Sequence, residues 1–310
     1  MQGKLTSFQK HLIVVAGPTA VGKTSFSIEL ARVFNTEVIS ADSRQFYKEM
    51  SIGTAKPTPA EMKGITHHFI DFLSVKEQYN AYHFEKDVLA FLEKWFKDND
   101  IIIMTGGSGL YVDAVCHGLD DIPDTPPEVR ERLNRELKEK GLQTLAARLK
   151  AADPEYYHAV DVQNPTRVVR GLEIFETTGK PFSSFRTGTK ARRDFNTVKI
   201  GLHRDREELN ARIEARMDQM IAAGLFEEAA ELLPFKDYRA LNTVGYKEIF
   251  DYLEGKYDKD EAVRLLKRNS RRYAKRQMTW FRKDTDYAWF HPDDFESAVL
   301  HIREKTRLQE

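Results

Sequence analysis

The chain has 310 residues, of which 41% are hydrophobic, and is therefore long enough to bury a substantial core in one large or two modest domains. Lys plus Arg and Asp plus Glu each total 48 residues, so the net charge points to no partner and only local charge clusters are informative. The single Cys116 excludes an internal disulfide, and the absence of a membrane-length apolar run or a signal-peptide pattern predicts a soluble, cytoplasmic protein.

The first predicted elements are a strand, a glycine-rich loop and a helix. Residues 11–16 are apolar and rich in β-branched side chains, as in a buried parallel strand, and residues 25–34 carry apolar side chains at helical spacing. The loop between them fits the pattern G-x-x-x-x-G-K-T and consists of Gly17, Pro18, Thr19, Ala20, Val21, Gly22, Lys23 and Thr24.

In this context the loop is predicted to bind a phosphate group. Its glycines let backbone N–H groups face an anion, and the start of the helix adds the positive end of its dipole. Lys23 supplies a positive charge and Thr24 a hydroxyl for Mg²⁺. The pattern leaves open which phosphate compound is bound.

A second predicted strand, residues 36–40, leads to Asp42, at the edge of the sheet where ligands of parallel α/β proteins bind. Asp42 is therefore either a site residue or the N-cap of a following helix, and position alone does not decide between them. Lys56 is a candidate for a second phosphate contact. Residues 67–72 predict a third strand, whose two adjacent histidines point to opposite faces and favour a structural role over a shared metal.

A helix predicted for residues 79–96 precedes a buried strand, residues 101–104, which ends at Thr105. In most nucleotidases with this loop the comparable strand ends in an Asp that helps to hold Mg²⁺, so Thr105 argues against a plain nucleotidase. The turn at 106–109 is either a second backbone anion site or a simple glycine turn. The alternation of strands and helices predicts an α/β fold, with a P-loop NTPase-like parallel sheet flanked by helices.

A proline-rich, acidic segment at residues 120–127 indicates a domain boundary, because only helical patterns follow it until residue 197. We predict a catalytic core of residues 1–121 and 197–310, and an all-helical insertion domain of residues 122–196. The polar end of the insertion, residues 179–195, is predicted to be a mobile loop.

Two basic segments follow the insertion. The first is a helix beginning after residue 205, whose arginines either form a solvated face or reach the phosphate site; they are Arg206, Arg212 and Arg216. The second, residues 264–283, contains nine Lys or Arg residues and no acidic residue. Because no acid inside this run pairs with its charges, we predict a face that binds nucleic-acid phosphates, with Tyr273, Trp280 and Phe281 as stacking surfaces.

These features leave two hypotheses open. One is a transferase that acts on nucleic acid with a phosphorylated donor, and the other is a small-molecule kinase that binds ATP and carries an incidental basic segment. A nucleic-acid binder without enzymatic activity leaves the loop unexplained.

Six motifs in this order resemble those of the bacterial tRNA dimethylallyltransferases, also called tRNA isopentenyltransferases. They are residues 17–24, 42–47, 105–111, 163–167, 245–248 and 272–277. The resemblance covers nearly the whole chain. It implies transfer of a dimethylallyl group from dimethylallyl diphosphate to the exocyclic amine of the adenosine 3′ to the anticodon, with release of diphosphate.

The resemblance also implies roles for particular residues. Asp42 would be the general base, Thr19 would assist departure of the diphosphate, and Lys23 would neutralise it. The residues from Gly17 to Thr24 would bind the diphosphate together with Arg212 or Arg216, between which the sequence does not choose. Thr24 would help to bind Mg²⁺, the expected cofactor.

The expected partner is the tRNA anticodon stem-loop, clamped by the insertion domain, with the target base flipped out of its stack. We expect a monomer that does not bind a membrane. The predicted tRNA-binding residues are Asp42, Ser43, Arg44, Gln45, Ser108, Arg130, Gln163, Asn164, Pro165, Thr166, Arg167, Arg271, Arg272, Lys275 and Arg276.

Overall fold

A computed structural model of the chain describes residues 10–188 and 191–307. Its central feature is a sheet of six parallel strands in the order β3-β2-β4-β1-β5-β6. The strands are β1 (His11–Ala16), β2 (Val38–Ser40), β3 (His67–His68), β4 (Ile101–Gly106), β5 (Asn196–Leu202) and β6 (Ala288–Phe290). The predicted α/β fold with a parallel sheet is confirmed.

Twelve α-helices accompany these strands in the described residues. In chain order they are α1 (Lys23–Val33), α2 (Pro59–Met62), α3 (Ala81–Asp98), α4 (Gly109–His117), α5 (Pro127–Ala152), α6 (Pro154–Ala159), α7 (Pro165–Thr178), α8 (Arg206–Ala222), α9 (Leu225–Leu232), α10 (Tyr246–Leu253), α11 (Lys259–Phe281) and α12 (Phe295–Thr306). Short 3₁₀ helices span Phe182–Phe185, Leu233–Phe235 and Arg239–Leu241. None of the helices in these residues combines the length and apolar character that a bilayer crossing needs.

The central strands are apolar on both faces because helices cover both sides of the sheet. On one face, Leu12 and Val14 of β1 pack with Ile102 of β4 and with side chains from α3 and α11. On the other face, Ile13 and Val15 pack with side chains from α1 and α12. All strands are parallel, so their carboxyl ends meet at one edge, where the loops after β1, β2 and β4 begin.

The chain divides into two compact units, which in the described residues comprise 10–117 with 192–307, and 118–188 with 191. The sequence placed these limits at 122 and 196 instead. Residues 192–196 belong to the larger unit because Arg193 donates to the carbonyl oxygens of Val115 (2.9 Å) and Ala114 (2.7 Å), and β5 already begins at Asn196.

The smaller unit contains α5, α6 and α7 around its own apolar core, which includes Leu133, Leu149 and Leu172. Helix α5 is kinked at Gly141, whose φ of 78° lies outside the helical region. In the stretch predicted to be a mobile loop, Phe182–Phe185 form a 3₁₀ helix with Phe182 buried in this core, and residues 189–190, including Lys190, lie outside the described residues.

One predicted strand was wrong in extent, and one strand was missed. The third strand, predicted for residues 67–72, has only two residues, because Phe69 and Asp71 have φ values of 62° and 56°, which no strand accommodates. The edge strand β6 was not predicted, since its three residues are too few to give a periodic pattern.

Candidate functional site

The glycine-rich loop joins β1 to α1 at the carboxyl edge of the sheet. Gly22 precedes α1 with a φ of 113°, a conformation that strains residues with a side chain. A Cβ atom on Gly17 would lie 2.7 Å from the carbonyl oxygen of Leu202, so only glycine fits there. The loop leads directly into the first turn of α1, whose backbone N–H groups have no partner within the helix. Such N–H groups at a helix N-terminus are the ones that bind anions.

Three arginines from elsewhere in the larger unit hold the loop at consecutive residues. Arg204 Nε donates to the carbonyl oxygen of Val21 at 2.9 Å, and Arg212 Nε to that of Ala20 at 2.9 Å. Arg216 Nη1 donates to Thr19 Oγ1 at 3.3 Å. Sequence reasoning missed Arg204, although its place directly after β5 at the carboxyl edge was a usable signal.

Lys23 and Arg216 are two cations whose charges lie close enough to affect each other. Burial lowers the pKa of Lys23 to about 8; the charge of Asp42 opposes this shift and that of Arg216 adds to it. Burial also lowers the pKa of the Arg216 guanidinium. The Lys23 ammonium donates to the carbonyl oxygen of Pro18 at 2.8 Å, and neither cation has a salt bridge in the described part of the chain. Such under-compensated positive charge is what an anionic ligand would offset.

Both cations line a cavity of about 130 Å³ in the larger unit. Its polar wall consists of Thr19, Lys23, Thr24, Asp42, Arg44, Gln45, Thr54, Arg216, Thr243, Ser270, Tyr273 and Gln277. Its apolar wall includes Ile213, Met217, Met220 and Val244. The cavity therefore offers both an anion-binding end and an apolar surface.

The apolar wall was not identified from the sequence as part of a site. Ile213, Met217 and Met220 lie on α8 at spacings of four and three, and Arg216 falls on the same face. The spacing was therefore a signal that an arginine and an apolar stripe share one surface. Val244 lies in a polar turn, and nothing in its sequence surroundings predicts its contact with the cavity.

Asp42 lies in a turn and not at the start of a helix, so the N-cap interpretation was wrong. Its Oδ1 accepts a hydrogen bond from the backbone N–H of Arg44 at 3.0 Å, and its Oδ2 has no hydrogen-bond partner within the described ranges. Burial and the charge of Asp42 raise the pKa of Tyr273 to about 12, so the phenol beside this carboxylate keeps its proton. Asp42 thus presents a half-buried carboxylate with one uncommitted oxygen to the cavity.

The segment after Asp42 is fixed on both sides. The Ser43 N–H donates to Ser108 Oγ at 3.0 Å. Gln45 accepts from Ser40 Oγ at 3.2 Å, and its Nε2 lies 3.4 Å from the carbonyl oxygens of Thr54 and Ala55. Arg44 and Gln45 line the cavity, whereas Ser43 and Ser108 do not.

The second glycine turn packs against α11. A Cβ atom on Gly107 would lie 2.2 Å from Gln277 Nε2, and one on Gly109 would lie 2.3 Å from Trp280 Cδ1. Gln277 donates to the carbonyl oxygen of Gly107 and accepts from the N–H of Thr19, both at 2.8 Å. The turn is therefore a site of close packing, as in the simple glycine-turn alternative.

Lys56 is committed elsewhere, so a phosphate contact from its amine is not supported. Its Nζ donates to the carbonyl oxygen of Tyr47 at 2.7 Å and pairs with Asp71, and its side chain is only 5% exposed. His68 pairs with Glu37, which is a structural role for that histidine.

Some of the basic side chains of α11 form salt bridges with acidic residues that lie outside the basic run. Three of its cations are paired, Arg264 with Glu261, Lys267 with Asp218 and Arg271 with Glu214. The inference from missing acids inside the run was therefore incomplete, because neighbouring elements supply them. The other six cations of the run at residues 264–283 form no salt bridge within the described residues; they are Arg268, Arg272, Lys275, Arg276, Arg282 and Lys283.

Several of these cations line a cleft of about 580 Å³ between α11 and the start of α8. Arg206 stands on the α8 side, and Arg272 and Lys275 on the α11 side. Of the three aromatic residues predicted to stack on bases, Phe281 is buried at 1% exposure, whereas Trp280 is 40% exposed and its Nε1 donates to Asp113 at 2.8 Å.

In the smaller unit, the segment 163–167 forms the start of α7. The Asn164 side chain accepts from the N–H of Thr166 at 3.1 Å, and Pro165 is the first helical residue. Gln163, Pro165, Thr166 and Arg167 are exposed. Arg130 forms a two-pronged pair with Glu173, whose carboxylate is fully buried. That these residues bind tRNA stays a prediction.

No group of three or more His, Cys, Asp and Glu side chains is placed to hold a metal ion in residues 10–188 and 191–307. Thr24 nevertheless lines the cavity beside Lys23, with one hydroxyl oxygen. Mg²⁺ commonly takes one or two protein oxygens and completes its shell with phosphate oxygens and water, so this sparse set fits Mg²⁺ bound together with a phosphate ligand.

A family model described as IPP transferase matches residues 45–284 of the chain. The tRNA dimethylallyltransferase of Cytophaga hutchinsonii is 50% identical over 306 residues, which cover 99% of this chain and 100% of that protein.

Two solved structures are also similar. The tRNA isopentenylpyrophosphate transferase of Bacillus halodurans has a TM-score of 0.72 and 37% identity, with coverage of 96% of this chain and 97% of that one. A eukaryotic dimethylallyltransferase acting on tRNA has a TM-score of 0.72 and 29% identity, with coverage of 87% and 69%. These comparisons give no support to the kinase hypothesis.

Proposed function

This chain belongs to the IPP transferase family, and we propose that it transfers a dimethylallyl group from dimethylallyl diphosphate to tRNA. The acceptor is the exocyclic amine of the adenosine 3′ to the anticodon, and the products are N6-dimethylallyladenosine and diphosphate. The observation that carries this proposal is a single cavity in which two cations, a carboxylate and an apolar wall face one another.

The cationic end of the cavity suits the diphosphate of the donor. Lys23 and Arg216 provide positive charge, and the loop of residues 17–24 provides backbone N–H groups. Diphosphate gains negative charge as it leaves, so preorganised cations stabilise the transition state more than the bound substrate. Arg216 donates to the Thr19 hydroxyl, and we assign this hydroxyl to assist the departing diphosphate by a hydrogen bond to its bridging oxygen. Arg212 bonds a loop carbonyl and lines a neighbouring cleft, which favours Arg216 as the arginine that contacts diphosphate.

The apolar wall suits the five-carbon chain of the donor. Ile213, Met217 and Met220 of α8, with Val244, line the same cavity as the cations. Contact with this wall removes apolar surface of the prenyl group from water and shields its reacting carbon. The two walls therefore match the two chemically different ends of one substrate.

Asp42 is the proposed general base. The amine nitrogen bonds to the prenyl carbon while the carbon–oxygen bond breaks, the electrons of that bond leave with diphosphate, and the amine proton passes to the carboxylate of Asp42. An exocyclic amine of adenine is a weak nucleophile, so a positioned acceptor contributes a substantial part of the rate. The uncommitted Oδ2 of Asp42 supports this role.

Mg²⁺ would be held by Thr24 and by oxygens of the diphosphate, and it would supply further charge neutralisation for the leaving group. Lys23 and Arg216 would neutralise the rest of the negative charge of the diphosphate.

For tRNA, the exposed, unpaired cations of α11 suit backbone phosphates, and Arg44 and Gln45 suit the flipped base because they line the cavity. In the smaller unit, the exposed start of α7 offers Gln163 and Arg167. All groups in this scheme come from one chain, so we expect a monomer to be active, in the cytoplasm where tRNA is found.

A direct assay tests the proposal. Purified protein is incubated with unmodified tRNA, radiolabelled dimethylallyl diphosphate and Mg²⁺, and the digested nucleosides are analysed by mass spectrometry. We expect label in N6-dimethylallyladenosine alone and one diphosphate released for each group transferred. Failure to label tRNA under these conditions, by protein shown to be folded, would refute the proposal.

A further inference from the structure

The carboxylate of Glu228, on α9, accepts four hydrogen bonds within the larger unit. Its Oε2 accepts from the backbone N–H groups of Ser51 (3.0 Å) and Ile52 (2.8 Å). Its Oε1 accepts from the N–H of Gly53 (2.8 Å) and from the hydroxyl of Tyr246 (2.6 Å). Three successive N–H groups on one carboxylate form an anion nest whose anion is a side chain of the protein itself.

Tyr246 fixes this carboxylate from the core. Its side chain is fully buried, and burial together with the neighbouring Glu228 raises the pKa of its hydroxyl far above the ordinary value, so the hydroxyl remains a donor. A Cβ atom on Gly53 would lie 2.4 Å from Tyr246 Cζ, so glycine is required where the turn passes the ring. The motif of residues 245–248, which the proposed chemistry leaves without a role, thus contains the donor that orients Glu228.

The turn held by Glu228 continues into the cavity. Gly53, Thr54 and Ala55 line it, whereas Glu228 and Tyr246 do not. The carbonyl oxygen of Ala55 accepts from Arg216 Nη2 at 3.4 Å and from Gln45 Nε2 at 3.4 Å. One carbonyl group therefore contacts both an arginine proposed for diphosphate and a glutamine proposed for the base.

We propose that Glu228 and Tyr246 are a positioning pair, which fixes the turn at residues 51–55 and through it the side chain of Arg216 at the diphosphate. The inference takes the identity of the ligand, diphosphate, from the proposed function. The geometry of the turn is independent of that function. Neither residue touches the cavity, so both act through the backbone of the turn and not on the substrate.

The test measures binding of inorganic diphosphate by calorimetry, which needs no turnover. Glu228→Gln replaces one acceptor oxygen by a donor and is expected to weaken binding about tenfold, because the N–H groups of the turn lose a charged acceptor. Tyr246→Phe keeps the ring in place and is expected to weaken binding about threefold. The matched control is Glu227→Gln, an exposed neighbour on α9, which should bind as the wild type does.

A second measurement separates positioning from general destabilisation. If Glu228 acts through Arg216, the effect of Glu228→Gln on diphosphate affinity should largely disappear in an Arg216→Ala background. Wild-type affinity in folded Glu228→Gln, or an undiminished effect in the Arg216→Ala background, overturns the inference. If Glu228→Gln does not fold, wild-type affinity in Tyr246→Phe overturns it. A wild-type protein that binds diphosphate but does not prenylate tRNA would refute the proposed function alone.

Discussion

The two glycine-rich turns at the carboxyl edge of the sheet follow neighbouring strands that are in register, with Ala16 of β1 opposite Gly106 of β4. In the first turn, a Cβ atom on Gly22 would have no neighbour nearer than 3.8 Å, so glycine is required there by its backbone conformation and not by a lack of space. In the second turn, Gly107 and Gly109 have Gln277 and Trp280 directly against them. The first turn lines a cavity, and the second is filled by a helix.

The difference shows that a glycine pattern predicts close approach to a backbone but not what approaches it. Gln277 bridges the two turns, accepting from Thr19 in the first and donating to Gly107 in the second. The backbones of the two turns are therefore connected by hydrogen bonds through the amide of Gln277. Asp42, which follows β2, lines the cavity of the first turn, and its Oδ2 has no hydrogen-bond partner in the described residues.

The largest effect is expected for Asp42→Ala, which removes the proposed base from the cavity of the first turn. We expect the rate of prenyl transfer to fall by about 10³-fold or more, with affinity for tRNA largely retained, since general-base catalysis contributes on the order of 10²–10⁴. Single-turnover rates with labelled donor measure the first quantity, and filter binding the second. A transfer rate equal to that of the wild type would show that Asp42 is not the base.

A smaller effect is expected when cations are removed from the outer side of the helix that fills the second turn. Replacing Arg272, Lys275 and Arg276 by Ala should weaken tRNA binding by about 10²-fold at low salt and flatten the plot of log affinity against log salt, since each phosphate contact contributes a slope of about 0.9. The matched control is Arg264→Ala, whose charge is already paired with Glu261. An unchanged salt slope in the triple variant contradicts the assignment of this face to tRNA.

The first turn should also show a pH dependence that the second lacks. The pKa of Lys23 in the free protein is about 8, below its ordinary value, so the ammonium that binds diphosphate loses its proton as pH rises through 8. The KM for dimethylallyl diphosphate should therefore be constant below this pH and rise about tenfold per pH unit above it, because binding must then restore the proton.

Lys23→Met should have a higher KM at every pH and no rise above pH 8. A wild-type KM that stays flat to pH 9.5 would mean that Lys23 is not the titrating contact.

The smallest effect on the reaction is expected from the second turn. Gly107→Ala displaces the Gln277 amide and should lower the free energy of unfolding by about 2 kcal/mol, measured by urea denaturation, while activity falls only a few-fold. Combining it with Gln277→Ala should cost less than the sum of the two changes, because the new methyl group then enters space that the amide has left. Strict additivity would show that Gln277 is not what confines Gly107.

The sequence by itself determined the parts of this protein that depend on neighbouring residues. The strand-loop-helix unit around residues 17–24, the buried strand that ends near Thr105 and the basic run on α11 each have a local pattern, and each is found in the structure. The order of six short motifs was sufficient for the family, whose membership the comparisons confirm.

Only the tertiary structure decided which of these parts meet. Arg216, and not Arg212, lines the cavity with Lys23. Lys56 forms a salt bridge with Asp71, and Phe281 is buried in the core. Glu228 and Val244 carry no local signal of their contact with the site or its supporting turn. Such contacts join residues far apart in the chain, and the packing that brings them together is set by the whole core, so no short pattern encodes them.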